Sequence, residues 1–111
     1  MSRFAPLPEP PYYAVIFTTQ RSAGDDGYAA MAEAMESLAR KQDGFIGIES
    51  TRDTEGVGIT VSYWRDEATI AAWKADLRHL AAQESGKAKW YDHYVLRVAK
   101  VERAYKGPEG R

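Results

Sequence analysis

Cysteine is absent from the 111 residues. That excludes disulfides, thiolate nucleophiles, iron–sulfur clusters and Cys-type zinc sites. Histidine is scarce: His79 and His93 are the only imidazoles, with no HExxH pair and no Asp/Glu cluster aimed at them. A metal centre is therefore not expected. Charge of one sign is not in excess, since 15 basic residues face 16 acidic ones and the pI is near 6.1. Such a chain offers no basic face for nucleic acid. No apolar run approaches the ~20 residues of a membrane span. The start of the chain lacks the charged-then-apolar layout of a secretory leader. A cytoplasmic protein without membrane or nucleic-acid contact is expected. There is no GxGxxG and no P-loop, and Gly56-Val57-Gly58 is only a fragment inside a predicted hairpin. The serines sit in no nucleophile-elbow context, so a Ser–His–Asp hydrolase has no support.

What is present is the balance of an ordinary globular domain, 44% hydrophobic and 28% charged, with three Trp, seven Tyr and three Phe. Pro6, Pro8, Pro10 and Pro11 mark residues 1–11 as an extended arm outside any sheet. Residues 106–111 form a Gly/Pro-bearing tail. One domain spans residues 12–105, a size that suits a single core.

Hydrophobic periodicity orders the elements. Residues 12–20 alternate as a strand. Asp25 and Asp26 offer a cap to a helix with Tyr28, Met31, Met35 and Leu38 on its apolar stripe, and Gly44 closes that element. Residues 45–52 and 57–64 are two strands joined by Asp53-Thr54-Glu55-Gly56, a hairpin. Asp66 caps a second helix whose stripe is Ile70, Trp73, Leu77, Leu80 and Ala81; Gly86 stops it. Residues 90–101 form the last strand. The order β-α-β-β-α-β is the ferredoxin-like arrangement: an α+β fold with four antiparallel strands and two helices on one face.

Two helices cover only one face of a sheet, yet strands one, two and four are apolar on both. Ile16 and Phe17, Phe45 and Ile46, and Val95 and Leu96 point opposite ways. The uncovered face is expected to pack on a second copy, burying on the order of 1,500–2,000 Å² in a homodimer.

The stretch SYWRDEATIAAWKADLRHLAAQESGKAKWYDHYVLRVAKVERAY, residues 62–105, resembles the antibiotic biosynthesis monooxygenase family. The likeness rests on a strand ending Tyr63-Trp64, an Asp-capped helix holding Trp73, His79 and Leu80-Ala81-Ala82-Gln83, and a final strand that begins Trp90-Tyr91. The looser match of YYAVIFTTQ and DGFIGIES extends it to roughly residues 12–105. The resemblance implies a dimeric α+β barrel. It also implies a cofactor-free monooxygenase acting on an electron-rich phenol or anthrone-like aromatic with dioxygen. Some relatives degrade haem through a His ten positions after the helix Trp. Here that position is Gln83, and the Asn expected near the end of the first strand is replaced by Thr18, Thr19 and Gln20. No haem and no other cofactor is expected.

The candidate site residues are Trp73, Tyr63 and His79. Trp73 lies on the apolar stripe and either packs on the sheet or walls a slot for an aromatic substrate. His79, about 120° round the helix from Trp73, either makes a local hydrogen bond or moves protons at a cavity edge. Tyr63 joins Trp73 in the proposed slot. Tyr63 and Trp64 leave opposite faces, as do His93 and Tyr94. Arg97 is expected in a cross-strand or inter-subunit pair, for example with Glu49. Arg65, Arg78, Lys87 and Lys89 read as a solvated rim, and Met31 and Met35 as core. A non-enzymatic dimeric barrel that binds a small apolar ligand, or serves in stress response, is the competing reading.

Overall fold

A computed structural model describes residues 3–21, 28–83 and 91–108; within these, the side chains of residues 21, 28–32, 78–83 and 91–93 are not described. The elements are β1 (Tyr12–Arg21), α1 (Tyr28–Arg40), β2 (Phe45–Arg52), β3 (Val57–Trp64), α2 (Glu67–Gln83) and β4 (Tyr91–Val101). They form one antiparallel sheet in the order β2-β3-β1-β4, the ferredoxin-like topology that the periodicity predicts. Among the described residues no helix is long and apolar enough to cross a membrane.

Register separates the two faces. Tyr13, Val15 and Phe17 of β1 lie opposite Trp64, Ser62 and Thr60 of β3, and opposite Lys100, Val98 and Leu96 of β4. This set turns toward the helices. Val15, Trp64, Ala39 of α1 and Ile70 of α2 make the buried core, with Tyr13, Phe45, Trp73 and Leu96 packed around it. The reverse face carries Tyr12, Ala14, Ile16 and Thr18 beside Tyr63, Val61, Ile59 and Val57.

Polar side chains set the element ends. Asp66 caps α2: its Oδ1 accepts from Thr69 N at 2.9 Å, while Thr69 Oγ1 donates to the Asp66 carbonyl at 2.9 Å. That amide bond, more than the neighbouring Arg65, holds the exposed Asp66 carboxyl below the usual carboxylate range. Arg65 reaches Asp43 with both terminal nitrogens, at 3.2 and 3.0 Å, and ties the turn before β2 to the start of α2. In the hairpin, Asp53 Oδ1 accepts from Glu55 N and Val57 N, both at 2.9 Å. Sequence placed this turn correctly because Asp supplies such an acceptor from a short side chain.

Residues 3–11 hold no strand, as their prolines predict, but they are not detached. Ala5 N donates to Glu49 Oε2 at 2.8 Å. A Cβ on Gly47 would stand 2.6 Å from Pro6 Cδ and 2.9 Å from Ala5 Cβ. The arm thus lies against β2 on the reverse face, beside a register shift between Phe45 and Gly47. Within the chain Arg97 does not pair with Glu49. Two strands separate them, and Glu49 receives Ala5 N and Tyr63 Oη instead.

Gly44 turns the chain into β2 at φ +92°, and a Cβ there would meet Thr69 Cγ2 at 2.5 Å. Gly44→Ala should therefore cost roughly 1–3 kcal/mol. The expected readout is a lower urea midpoint at unchanged slope; an unchanged midpoint would show that the turn accommodates a side chain.

Candidate functional site

A taper in side-chain size opens a cavity. The helix-facing residues of β3 run Trp64, Ser62, Thr60, Gly58, and those of β2 run Phe45, Ile48, Ser50, Arg52. At the Trp64 end the sheet and α2 are in contact. Toward Gly58 the small residues leave a gap. The result is a cavity of about 550 Å³ between the sheet and both helices, walled by Val15, Phe17 and Leu96 below and by Met35, Trp73 and Leu77 above. That volume falls in the range of small-molecule sites. Glu36, Lys74 and Tyr94 add polar groups to its lining, and Arg52 adds a guanidinium from the end of β2.

Trp64 is fully buried, and its Nε1 donates to Ser62 Oγ at 2.9 Å. Phe45 meets it edge-on at 5.5 Å, and Trp73 stacks on it with centroids 5.0 Å apart and planes at 30°. Trp73 is therefore both core and cavity wall. Its own Nε1–H is buried, with no hydrogen-bond partner among the described residues. Such a donor carries a desolvation cost of about 1–3 kcal/mol.

Tyr63 does not join Trp73. It leaves β3 on the reverse face, where its hydroxyl donates to Glu49 Oε1 at 2.9 Å and its ring meets Tyr12 edge-on at 6.0 Å. The period of two along a strand forbids adjacent residues from sharing a wall. The expectation of a slot between Trp73 and Tyr63 is corrected accordingly. His79 lies in α2, and its side chain falls outside the described residues, as do those of Gln83 and His93. Trp90 lies outside them altogether. Among the described residues no group of three or more His, Cys, Asp or Glu could hold a metal ion.

Comparison with known proteins completes the picture. The sequence model of the family described as "Antibiotic biosynthesis monooxygenase" matches residues 11–85. The chain belongs to this family. It is 50% identical to the Bacillus subtilis protein YqjZ, described as uncharacterized, over 103 residues that make up 93% of this chain and 90% of that protein. It is 30% identical to a jasmonate monooxygenase of Pyricularia oryzae over 100 residues, 87% of this chain but 46% of the relative, so it spans about half of that protein's length. In fold it matches SnoaB, a cofactor-independent oxygenase from Streptomyces nogalater. The TM-score is 0.63 at 12% identity, covering 88% of this chain and 98% of the other.

Sequence reading missed Arg52. The available signal was a charged residue in the helix-facing alternation of β2, directly opposite a glycine that makes room for it.

The Tyr63 phenol is pushed up to about 12 from its ordinary 10.0, first by burial and then by the Glu49 carboxylate it bonds. Folding thus favours the protonated phenol. Its contribution is intact below pH 10 and is lost as pH rises from 10 toward 12. Titration followed at 295 nm should show a late step near pH 12, and Tyr63→Phe should remove it. A late step that survives in Tyr63→Phe would assign it to another tyrosine.

Proposed function

We propose that the protein is a cofactor-independent monooxygenase that oxidises a small electron-rich aromatic substrate, a phenol or an anthrone-like ring, with dioxygen. The observation that carries this reading is the apolar cavity walled by Trp73. A flat indole wall orients an aromatic ring. A relative named as a jasmonate monooxygenase and a fold neighbour named as a cofactor-independent oxygenase agree with oxygen chemistry.

The reaction balances without an external reductant. Loss of a proton from the activated CH₂ gives a carbanion that the ring delocalises onto its oxygen. One electron passes to dioxygen, and the radical pair combines into a peroxide at that carbon. Loss of water leaves a carbonyl, so CH₂ and O₂ become C=O and H₂O. The protein's part is to exclude water, hold the ring and accept the first proton. Trp73 holds the ring, and His79 is the proposed proton acceptor. Metal-free protein should consume oxygen with an anthrone, and His79→Ala should slow turnover about 10²–10⁴-fold. Equal rates would remove His79 from the mechanism. Binding of the anthrone without any turnover would favour a non-enzymatic ligand-binding barrel.

The functional unit proposed is a homodimer joined through the reverse face of the sheet. Ile16, Val61, Ile59 and Val95 form an apolar band across β3, β1 and β4, with Ile59 44% exposed and Val57 39% exposed. Monomers rarely leave such a band in water. Ile16→Asp should dissociate the dimer in sedimentation yet keep the near-ultraviolet signal of the buried tryptophans. Phe17→Asp, on the helix side, should unfold the subunit. A wild type that sediments as a monomer at micromolar concentration contradicts the proposal.

A further inference from the structure

We infer that Ser62 selects ligands for this cavity by donating its hydroxyl hydrogen to an oxygen on the edge of a bound ring. The inference rests on the reading of the cavity as a site for an aromatic substrate and adds the residue that recognises the substrate's oxygen.

Ser62 stands two residues before the end of β3, lines the cavity and is 3% exposed. It is the one buried hydroxyl of that lining among the described residues. Its oxygen accepts from Trp64 Nε1 at 2.9 Å. An indole N–H only donates, so this bond uses a lone pair of Ser62 and leaves the hydroxyl hydrogen for a second partner. The side chains that flank it are apolar: Val15 of β1 lies opposite Ser62 on one side and Ile48 of β2 on the other. Trp64 takes the next helix-facing position along β3, and the cavity lies toward Thr60. Support of Trp64 thus employs the oxygen of Ser62, and the hydrogen is the part that a ligand can read.

The setting strengthens this donor. Accepting from Trp64 polarises the O–H bond, and apolar walls of low dielectric raise the worth of what it gives. Ser50 and Thr60 also line the cavity, opposite one another on β2 and β3. Ser50 is exposed and Thr60 half-buried. A donor that water reaches discriminates little between ligands, whereas a buried one does. The tryptophans set the ligand's place. Trp64 stacks on Trp73 with centroids 5.0 Å apart, and Trp73 walls the cavity. The aromatic wall and the Ser62 hydroxyl therefore both touch one indole and stand side by side. In the oxidation proposed above, the oxygen presented to Ser62 is the atom onto which the ring delocalises its charge.

The test compares binding of anthrone with that of dihydroanthracene, the same three-ring skeleton with CH₂ in place of the carbonyl. Both are measured without oxygen, by displacement of the neutral fluorescent probe N-phenyl-1-naphthylamine, with folding verified by near-ultraviolet circular dichroism. Ser62→Ala should weaken anthrone about 3–10-fold, the worth of a neutral hydrogen bond, and leave dihydroanthracene unchanged. Ser62→Thr keeps the hydroxyl and should keep the preference for anthrone. Equal losses for both ligands, or no loss for either, overturn the inference, because a role confined to supporting Trp64 does not distinguish a carbonyl from a methylene. A second readout needs no variant. The infrared carbonyl stretch of isotope-labelled anthrone bound to wild type should lie below its value in an apolar solvent; a stretch at the apolar value overturns the inference even where Ser62→Ala fails to fold. Displacement of the probe by neither ligand overturns the cavity reading and the inference with it. Binding that shows the Ser62-dependent preference, without oxidation of anthrone in air, supports the role of Ser62 and overturns the oxygenase reading.

Discussion

The stacked pair of Trp64 and Trp73 is the contact on which the rest of the domain depends. Burying an indole removes roughly 150–250 Å² from water, a gross gain of about 4–6 kcal/mol at ~25 cal/mol per Å². Trp64 obtains it fully because Ser62, two residues along the same strand, accepts its N–H within the core. The pair clamps α2 to β3 at one end. Size then falls along β3, and the helices cannot follow the sheet down. The cavity is thus a by-product of where the largest side chain sits.

The two faces of the sheet have different tasks. The helix side combines packing with an apolar chamber. The reverse side carries a short polar chain, from Ala5 through Glu49 to Tyr63, that fastens the N-terminal arm. The arm covers part of that face at β2, while the band around Ile16 and Ile59 stays open.

Much of this was legible in the sequence. Alternation put Trp64 and Tyr63 on opposite faces, and Asp66, Asp53 and Gly44 marked the element boundaries by their backbone chemistry. The same alternation already separated Tyr63 from the helix stripe, so grouping it with Trp73 conflicted with a rule that the strand obeys. Other features depended on register. That Glu49 meets Tyr63 and Ala5 rather than Arg97, and that Arg52 crosses Gly58, follows from which residues face one another. The register shift near Phe45 alters that pairing in a way no single-strand pattern reveals. Prolines announced an extended arm, but nothing in them said where it would lie.

The central place of β1 has a consequence for how the chain is made. Its first residue, Tyr12, pairs with Val101, far along the chain. During synthesis the β2–β3 hairpin forms from neighbours within microseconds. One flank of β1 must wait until β4 has left the ribosome. Such distant pairing slows closure and leaves a strand edge open to the wrong partner in the meantime. A chain cut short before β4 would lose more than its last strand: it would expose the middle of its own sheet.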